Sequence, residues 1–344
     1  MSTHGSDERT AVIPAEQTRQ DTRPSAPTPD ELAHLVDVGS RLTTTINAVV
    51  EGKVDVVSTA VTVLLAEGHL LVEDVPGVGK TMLAKTLARA IDASVRRIQF
   101  TPDLLPSDIT GVSIFNQDTH QFVFRQGAVF ANVVVGDEIN RASPKAQSAL
   151  LECMEEHSVT VDGTTHPLPH PFIIIATQNP VEMEGTYPLP EAQRDRFMAR
   201  VSVGYPDRRA EVEMLDHHGA RSPLDDVSPV TDAVGIAGLI RTVRGIHASQ
   251  AARQYVVDLA AATRSHQAIR LGASPRATLH LLRAARSRAA LAGRDHVLPD
   301  DIQALAVPLL AHRIILSSQA HLARESPASV IEDVVRRTRV PGDR

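Results

Sequence analysis

Cysteine, lysine and long apolar runs are scarce in this chain of 344 residues. Because Cys153 is the sole cysteine, neither an internal disulfide nor a cysteine metal cage can form, and this fits a reducing cytoplasm. The most apolar stretches, near 61–65 and 172–176, are far shorter than the roughly 20 residues that a membrane helix needs. The first 30 residues are polar and lack the apolar segment of a signal peptide. These absences predict a cytoplasmic protein without membrane insertion.

Positive charge is also limited, since the net charge is −6 and the only lysines are Lys53, Lys80, Lys85 and Lys145. Proteins that bind nucleic acid usually carry a basic face, so this balance argues against nucleic acid as a partner. The 15 histidines are scattered and lack the fixed spacing of metal sites. Apolar residues, in contrast, make up 42% of the chain, which is ample for buried cores in about two domains.

The pattern along the chain changes twice. Residues 1–29 are rich in Thr, Pro, Ser, Asp and Arg without periodicity, which predicts a disordered tail. Residues 30–206 begin with amphipathic helices and then alternate apolar strands with helices, which is typical of a parallel sheet with both faces covered. From 207 to 344 no strand is expected, and helices are predicted at 207–219, 231–247, 251–267, 275–292, 299–313 and 326–337. The predicted fold class is α/β, followed by an all-α domain.

Within the α/β part, strands are predicted at 69–73, 95–100, 131–136 and 172–176. Two hairpins are also expected: alternating polarity over 115–124 predicts the first, and Asp162-Gly163 supplies the turn of the second. Ser143 is a candidate N-cap, with Pro144 in the first turn of the helix that follows.

A glycine-rich segment at 76–81 has the pattern of a phosphate-binding loop, between an apolar strand and a helix. Glycines let backbone N–H groups close around phosphate oxygens, and the helix points its positive end at them. Lys80 would reach the β- and γ-phosphates, and Thr81 would place its hydroxyl on Mg²⁺. The strict pattern has glycine at position 74, where this chain has Asp74. We expect ATP to be bound by Pro76, Gly77, Val78, Gly79, Lys80, Thr81 and Met82.

An acidic pair, Asp137-Glu138, follows the apolar run at 133–136. Asp137 would hold Mg²⁺ together with Thr81 and so contribute to nucleotide binding, and Glu138 would orient or deprotonate the attacking water. Taken alone, such a pair could also be a helix N-cap. Downstream of a phosphate loop in an α/β context, it predicts that the chain hydrolyses ATP rather than only binding it.

Polar residues further along the chain extend the candidate catalytic set. Asn179 follows a buried strand, and ligands bind at the C-terminal ends of parallel strands, where it could contact the γ-phosphate and the water. Arg194 and Arg196 lie in a predicted helix, where they form either a solvated charged face or an arginine finger donated to a neighbour's ATP. Arg276 occupies the first turn of a helix, which the dipole disfavours for a cation. It is either a surface charge or a group that binds an anion such as phosphate.

Four strings of the sequence together resemble the MoxR family of AAA+ ATPases. They are VPGVGKT (75–81), VVVGDEINRA (133–142), ATQNPVEMEGTYPLPEAQRDRF (176–197) and GASPRA (272–277). The similarity runs from about 35 to 341 and includes QFTPDLLPSDITG (99–111) and VGYPDRRAE (203–211). The resemblance implies an AAA+ P-loop core with a parallel sheet, followed by a helical lid domain.

The resemblance also implies roles for single residues. Asn179 matches the family's sensor 1, Arg196 its arginine finger and Arg276 its sensor 2, while Arg194 competes with Arg196 for the finger. The hairpin at 115–124 looks like the insert in the second helix that marks this clade, and 159–170 looks like the insert before sensor 1. Members of the family form rings of identical subunits, usually hexamers, with ATP at the subunit interfaces. They are thought to act as chaperones that remodel or activate client proteins, often with a partner that contains a von Willebrand factor A domain.

Several functions therefore remain open at the level of sequence. The first is a Mg²⁺-dependent, ring-forming ATPase that remodels proteins. The second is a nucleotide-gated scaffold with little turnover, against which Glu138 and Arg196 argue. A DNA-directed AAA+ protein is disfavoured by the acidic charge, and a phosphotransferase by the acidic pair, which favours water as acceptor. The residues that contact adenine are expected near 50–52.

Overall fold

The computed structural model of the chain describes residues 25–50, 52–74, 80–179, 186–205 and 223–342. Most of the predicted tail, the phosphate loop at 75–79 and the predicted domain boundary at 206 lie outside the described residues. The side chain of Lys80 lies outside them as well.

Two helices open the described chain, α1 (Pro29–Asn47) and α2 (Val54–Leu65). Thr28 caps α1: its hydroxyl accepts a hydrogen bond from the Glu31 N–H at 3.2 Å, and the Glu31 carboxylate accepts one from the Thr28 N–H at 2.8 Å. The apolar residues of α1 recur at helical spacing, so one face of the helix is buried against α2 and the elements that follow.

Five strands form a parallel central sheet: β1 (Leu70–Glu73), β2 (Val95–Gln99), β5 (Val133–Asp137), β8 (Ile173–Gln178) and β9 (Ala199–Val201). Their order across the sheet is β2-β5-β8-β1-β9, and all pairings are parallel. Successive valines of β5 pack into two separate apolar clusters, one on each face of the sheet. Because both faces are covered, this strand is apolar throughout instead of alternating. The predicted parallel sheet is confirmed.

Helices and hairpins surround the sheet. The helices are α3 (Lys80–Ala90), α4 (Pro106–Thr110), α5 (Pro144–Glu156) and α6 (Glu191–Arg194). The hairpins are β3 (Gly111–Asn116) with β4 (Gln121–Gln126), and β6 (Ser158–Val161) with β7 (Thr164–Pro167). Both predicted hairpins are confirmed, and so is the N-cap of α5, where Ser143 Oγ accepts from the Ala146 N–H at 3.3 Å.

Beyond residue 222 the chain is mostly helical, in a lid that packs on the core through its helices. The helices are α7 (Ala233–Gly245), α8 (Gln250–Ser265), α9 (Pro275–Leu291), α10 (Pro299–Leu310), α11 (Ser318–Leu322) and α12 (Pro327–Arg337). The predicted helix at 207–219 lies outside the described residues. Of the described helices, α9 contacts α1 and α2, and α10 contacts β9.

The prediction of an all-α second domain was wrong in one detail. Two short strands, β10 (Ile269–Leu271) and β11 (Ile315–Leu316), pair in antiparallel fashion in the lid. They are three and two residues long, respectively, too short for a periodic pattern to reveal them. In addition, α10 ends at Leu310 and not at 313, because the chain turns there and directs Arg313 towards the core.

Candidate active site

The C-terminal ends of β1, β5 and β8 meet at one edge of the sheet, the edge that is formed by strand ends and not by an outer strand. The parallel register places Asp137 beside Gln99 of β2, and Gln178 beside Glu73 of β1. Helix α3 begins at the same edge, shortly after β1 ends. Ligands bind at this edge of open parallel sheets, so the fold gathers the predicted nucleotide-site residues where the sequence places them.

Asp137 lies at the centre of this edge and is 5% exposed. Its Oδ1 accepts a hydrogen bond from Thr81 Oγ1 at 3.2 Å, and Thr177 Oγ1 lies 3.4 Å from the same oxygen. Its Oδ2 forms an ion pair with Arg97 Nε at 2.6 Å. A hydroxyl and a carboxylate in contact supply the oxygen ligands that Mg²⁺ prefers, so the predicted pair of metal-binding residues fits that ion.

Glu138 has a left-handed backbone, with φ 59° and ψ 51°. Such a conformation costs roughly 1–3 kcal/mol for a residue other than glycine, and it is found where surrounding contacts enforce it. The Glu138 N–H donates to Thr177 Oγ1 at 3.0 Å. Its carboxylate accepts from Gln99 Nε2 at 3.1 Å and lies 3.2 Å from Arg141 Nε. These contacts hold the carboxylate in a defined direction while leaving its side chain 29% exposed.

Asn179 follows β8 directly and is 4% exposed. Its backbone carbonyl accepts from Asn140 Nδ2 at 3.4 Å, so the turn after β5 and the end of β8 are tied together. Asn179 therefore lies at the same edge as Asp137 and Glu138. Met82, the last residue of the predicted nucleotide-binding segment, lies in the first turn of α3.

Arg196 and Arg276 lie at the opposite edge of the sheet. Arg196 precedes β9, and β9 starts beside the first residue of β1, where the Met198 N–H donates to His69 O at 2.8 Å. Helix α5 runs back from the edge that carries Asp137 and Glu138, so Glu155 near its end reaches this second edge. Arg196 Nη2 lies 3.3 Å from Glu155 Oε2, and Arg276 Nη2 is bonded to the other oxygen of the same carboxylate.

The sheet separates these two arginines from Asp137 and Glu138 of the same chain. Four residues of β1 alone span roughly 10 Å. The structure therefore brings Thr81, Asp137, Glu138 and Asn179 together, and it brings Arg196 and Arg276 together elsewhere. Arg194, the competing candidate for the finger, ends α6, and its Nε is buried with no hydrogen-bond partner within the described part of the chain.

Four polar residues that contact the acidic pair were not predicted from the sequence: Arg97, Gln99, Arg141 and Thr177. Arg97 and Gln99 alternate with the buried Ile98 on the edge strand β2. This alternation predicts a side chain's face but not its partner, because the partner depends on which strand lies next to β2. Thr177 lies two residues before Asn179 in the same string. Its hydroxyl contacts the acidic pair because β8 lies next to β5 in the sheet.

The strand order, the acidic pair at the end of a central strand, the polar residue on the next strand and the helical lid together define an AAA+ ATPase. A family model described as "ATPase family associated with various cellular activities (AAA)" matches residues 69–199, and one described as "AAA lid domain" matches 261–334. Among the described residues, no helix combines the length and the apolar character needed to cross a membrane.

Similar proteins extend over most of the chain. Chaperone MoxR1 of Mycobacterium tuberculosis is 40% identical over 305 residues, which cover 86% of this chain and 80% of that protein. The uncharacterised YeaC of Bacillus subtilis is 48% identical over 299 residues, covering 87% and 93%. A crystal structure of a candidate ATPase from Cytophaga hutchinsonii, 37% identical, has a TM-score of 0.83 and covers 90% of this chain and 97% of its own. The chain belongs to the MoxR family of AAA+ ATPases.

Proposed function

We propose that this chain is a Mg²⁺-dependent ATPase that works as a ring of identical subunits, a hexamer by its family resemblance. The observation that carries the proposal is the division of the candidate site between two edges of the sheet. Thr81, Asp137 and Glu138 lie at one edge, while Arg196 and Arg276 lie at the other. One chain cannot place both sets on one nucleotide, whereas a second copy can present its arginines to the first copy's ATP.

Each residue then has a defined task at the nucleotide. Lys80 and the phosphate loop bind the phosphates, and Thr81 and Asp137 hold Mg²⁺. When bound, Mg²⁺ neutralises charge on the β- and γ-phosphate oxygens. Glu138 orients or deprotonates the attacking water, and Asn179 hydrogen-bonds the γ-phosphate. Arg196 and Arg276 of a neighbouring copy stabilise the charge that builds up in the transition state.

We further propose that the energy of hydrolysis remodels or activates partner proteins in the cytoplasm. The support is the 40% identity to a protein named as a chaperone, over most of both chains. A partner with a von Willebrand factor A domain is part of this proposal and rests on the family resemblance alone. The ordered, partly exposed carboxylate of Glu138 favours turnover over a scaffold that only binds nucleotide.

The Glu138→Gln variant tests the catalytic part of the proposal. The amide keeps the size of the side chain but cannot take a proton, so turnover is expected to fall at least roughly 10²-fold while ATP binding is retained. Steady-state phosphate release and binding of a fluorescent ATP analogue measure the two properties separately. Glu156→Gln, at the exposed end of α5, is the matched control and should hydrolyse ATP like the parent. Unchanged turnover in Glu138→Gln would contradict the assignment.

A further inference from the structure

A buried arginine of the lid, Arg313, forms hydrogen bonds with the segment that carries Arg196. Arg313 follows α10, and its side chain is 1% exposed. Its Nη1 donates to Asp195 Oδ1 at 3.0 Å, and its Nη2 donates to the Phe197 carbonyl at 2.5 Å. One lid side chain therefore holds the two residues on either side of Arg196.

Asp195 connects Arg313 to the second candidate arginine, Arg276. The Ser274 hydroxyl donates to this carboxylate, with its Oγ 2.9 and 2.8 Å from the two oxygens. Ser274 is also the N-cap of α9, where its hydroxyl accepts from the Ala277 N–H at 3.2 Å. Arg276 stands in the first turn of α9, and its Nη1 lies 3.7 Å from Asp195 Oδ2. Asp195 thus fixes the start of α9, and with it Arg276, relative to Arg196.

The surroundings keep Arg313 charged and its hydrogen bonds directional. Burial lowers the pKa of Arg313 to about 10, which leaves the guanidinium protonated at neutral pH. Burial and the nearby Arg313 lower the pKa of His280 to about 2, so His280 is neutral. A neutral ring can accept a hydrogen bond, and His280 Nδ1 lies 2.7 Å from Arg313 Nη2. Both terminal nitrogens of this guanidinium therefore have acceptors of fixed position: Asp195 Oδ1 for Nη1, and the Phe197 carbonyl and His280 Nδ1 for Nη2.

Stability alone is a poor reason for such an ion pair. Removing two charges from water offsets most of their attraction, and well-packed apolar residues often stabilise a protein as much or more. What the pair does provide is geometry, because the planar guanidinium sets both distance and angle to its partners. That geometry is imposed on the turn that presents Arg196 and on the helix start that presents Arg276.

We propose that Arg313 and Asp195 are positioning residues, which hold Arg196 and Arg276 as one unit that enters the nucleotide site of a neighbouring subunit. The proposal rests on the proposed function. It has a mechanical consequence: any contact of either arginine with the neighbour's phosphates acts directly on the lid. Small displacements matter for such groups, since an error of about 1 Å can lower turnover roughly 10²-fold.

Subunit mixing distinguishes this role from a simple contribution to folding. A ring subunit offers its own nucleotide site on one side and its arginines on the other. Lys80→Ala removes the first function and keeps the second, whereas Arg196→Ala does the reverse. A variant that only misplaces the arginines should be rescued by Lys80→Ala subunits and not by Arg196→Ala subunits. A subunit that is poorly folded should be rescued by neither.

The experiment uses Arg313→Met, which keeps the length of the side chain, and Arg313→Lys, which keeps its charge but loses the two-pronged contact. Each should bind a fluorescent ATP analogue like the parent and hydrolyse ATP at least roughly tenfold more slowly. Mixing with Lys80→Ala should restore part of the activity, and mixing with Arg196→Ala should restore none. The control is Arg294→Met, which removes another close lid ion pair, Arg294 Nη2 to Asp301 Oδ1 at 2.6 Å. It should hydrolyse ATP at the parent rate.

The outcomes separate the two proposals. If Arg313→Met does not fold, the activity of Arg313→Lys alone tests the positioning role. Parent-like hydrolysis by Arg313→Lys, or rescue by Arg196→Ala instead of Lys80→Ala, would overturn the positioning role. A mixture of Lys80→Ala with Arg196→Ala is measured alongside. Absence of rescue in that mixture contradicts the ring mechanism itself, whereas rescue there together with parent-like Arg313 variants contradicts only the positioning of the arginines.

Discussion

At the scale of single residues, the Asp137 carboxylate contacts several side chains at once. Thr81 and Thr177 contact one oxygen of its carboxylate, and Arg97 contacts the other at 2.6 Å. The Arg97 side chain is 54% exposed, so solvent screens its attraction to Asp137. The positive charge nevertheless lies close to the carboxylate that we assign to Mg²⁺. Arg97 is therefore expected to weaken the binding of the metal.

The Arg97→Gln variant tests this expectation. Removing the cation should strengthen Mg²⁺ binding by roughly two- to fivefold, the range expected from an exposed ion pair of up to about 1 kcal/mol. The Mg²⁺ dependence of binding of a fluorescent ATP analogue measures the effect without turnover. Arg96→Gln is the control, because its side chain points to the other face of β2. Equal Mg²⁺ dependence in Arg97→Gln and the parent would rule out the competition.

The contacts of Asp137 also show which part of the site is predictable. Thr81 and Asp137 are recognisable because each belongs to a local string whose chemistry predicts its task. Arg97 is 40 positions from Asp137 along the chain, and the two meet only through the pairing of β2 with β5. Sequence periodicity predicts which face of a strand a side chain occupies, but not which strand lies beside it in the sheet. Contacts of this kind therefore need the fold.

At the scale of secondary-structure elements, His69 joins three of them. It immediately precedes β1, its Nε2 lies 3.1 Å from Met154 O of α5, and its Nδ1 accepts from the Ile174 N–H of β8 at 3.0 Å. Only a neutral ring with the proton on Nε2 can make both contacts. Burial, the largest cause, lowers the pKa of His69 to about 3, and nearby cationic groups act in the same direction. Protonation of His69 would break the bond to Ile174.

The low pKa predicts an acid sensitivity of defined sign. The unfolded chain takes up a proton on His69 near pH 6.5, while the folded chain does so only near pH 3, so stability is lost as pH falls between these values. The contribution of His69 to the slope is about 1.4 kcal/mol per pH unit. Urea unfolding of the parent and of His69→Gln, between about pH 7.5 and pH 5, measures it. Parallel pH profiles for the two proteins would contradict this account.

The elements themselves were predictable where they are long and periodic. Helices such as α5 carry their own start signal in Ser143-Pro144, and β5 and β8 each begin with three consecutive β-branched apolar residues. The fifth strand, β9, was not predicted, because Ala199–Val201 is too short to show a period. It forms because the side of β1 that faces away from β8 would otherwise lack a hydrogen-bonding partner, and this is a property of the assembled sheet.

At the scale of the whole molecule, the candidate site is divided between two edges of one sheet. The sequence predicts the residues of both halves, but it does not predict their separation, because the position of Arg196 depends on β9 and that of Arg276 depends on the lid. The structure supplies both, through the pairing of β9 with β1 and through the packing of α10 on β9. Under the proposed function, a chain built in this way needs a second copy to complete each nucleotide site.

The most direct test is ATP hydrolysis per subunit, measured with Mg²⁺ across a range of protein concentration in which mass photometry records the change from single subunits to oligomers. Our account predicts a specific activity that rises with the oligomer and then saturates, while Arg196→Ala stays low throughout. A substantial activity that is flat across the same change in mass would mean that one chain carries a complete site. That result would contradict the account.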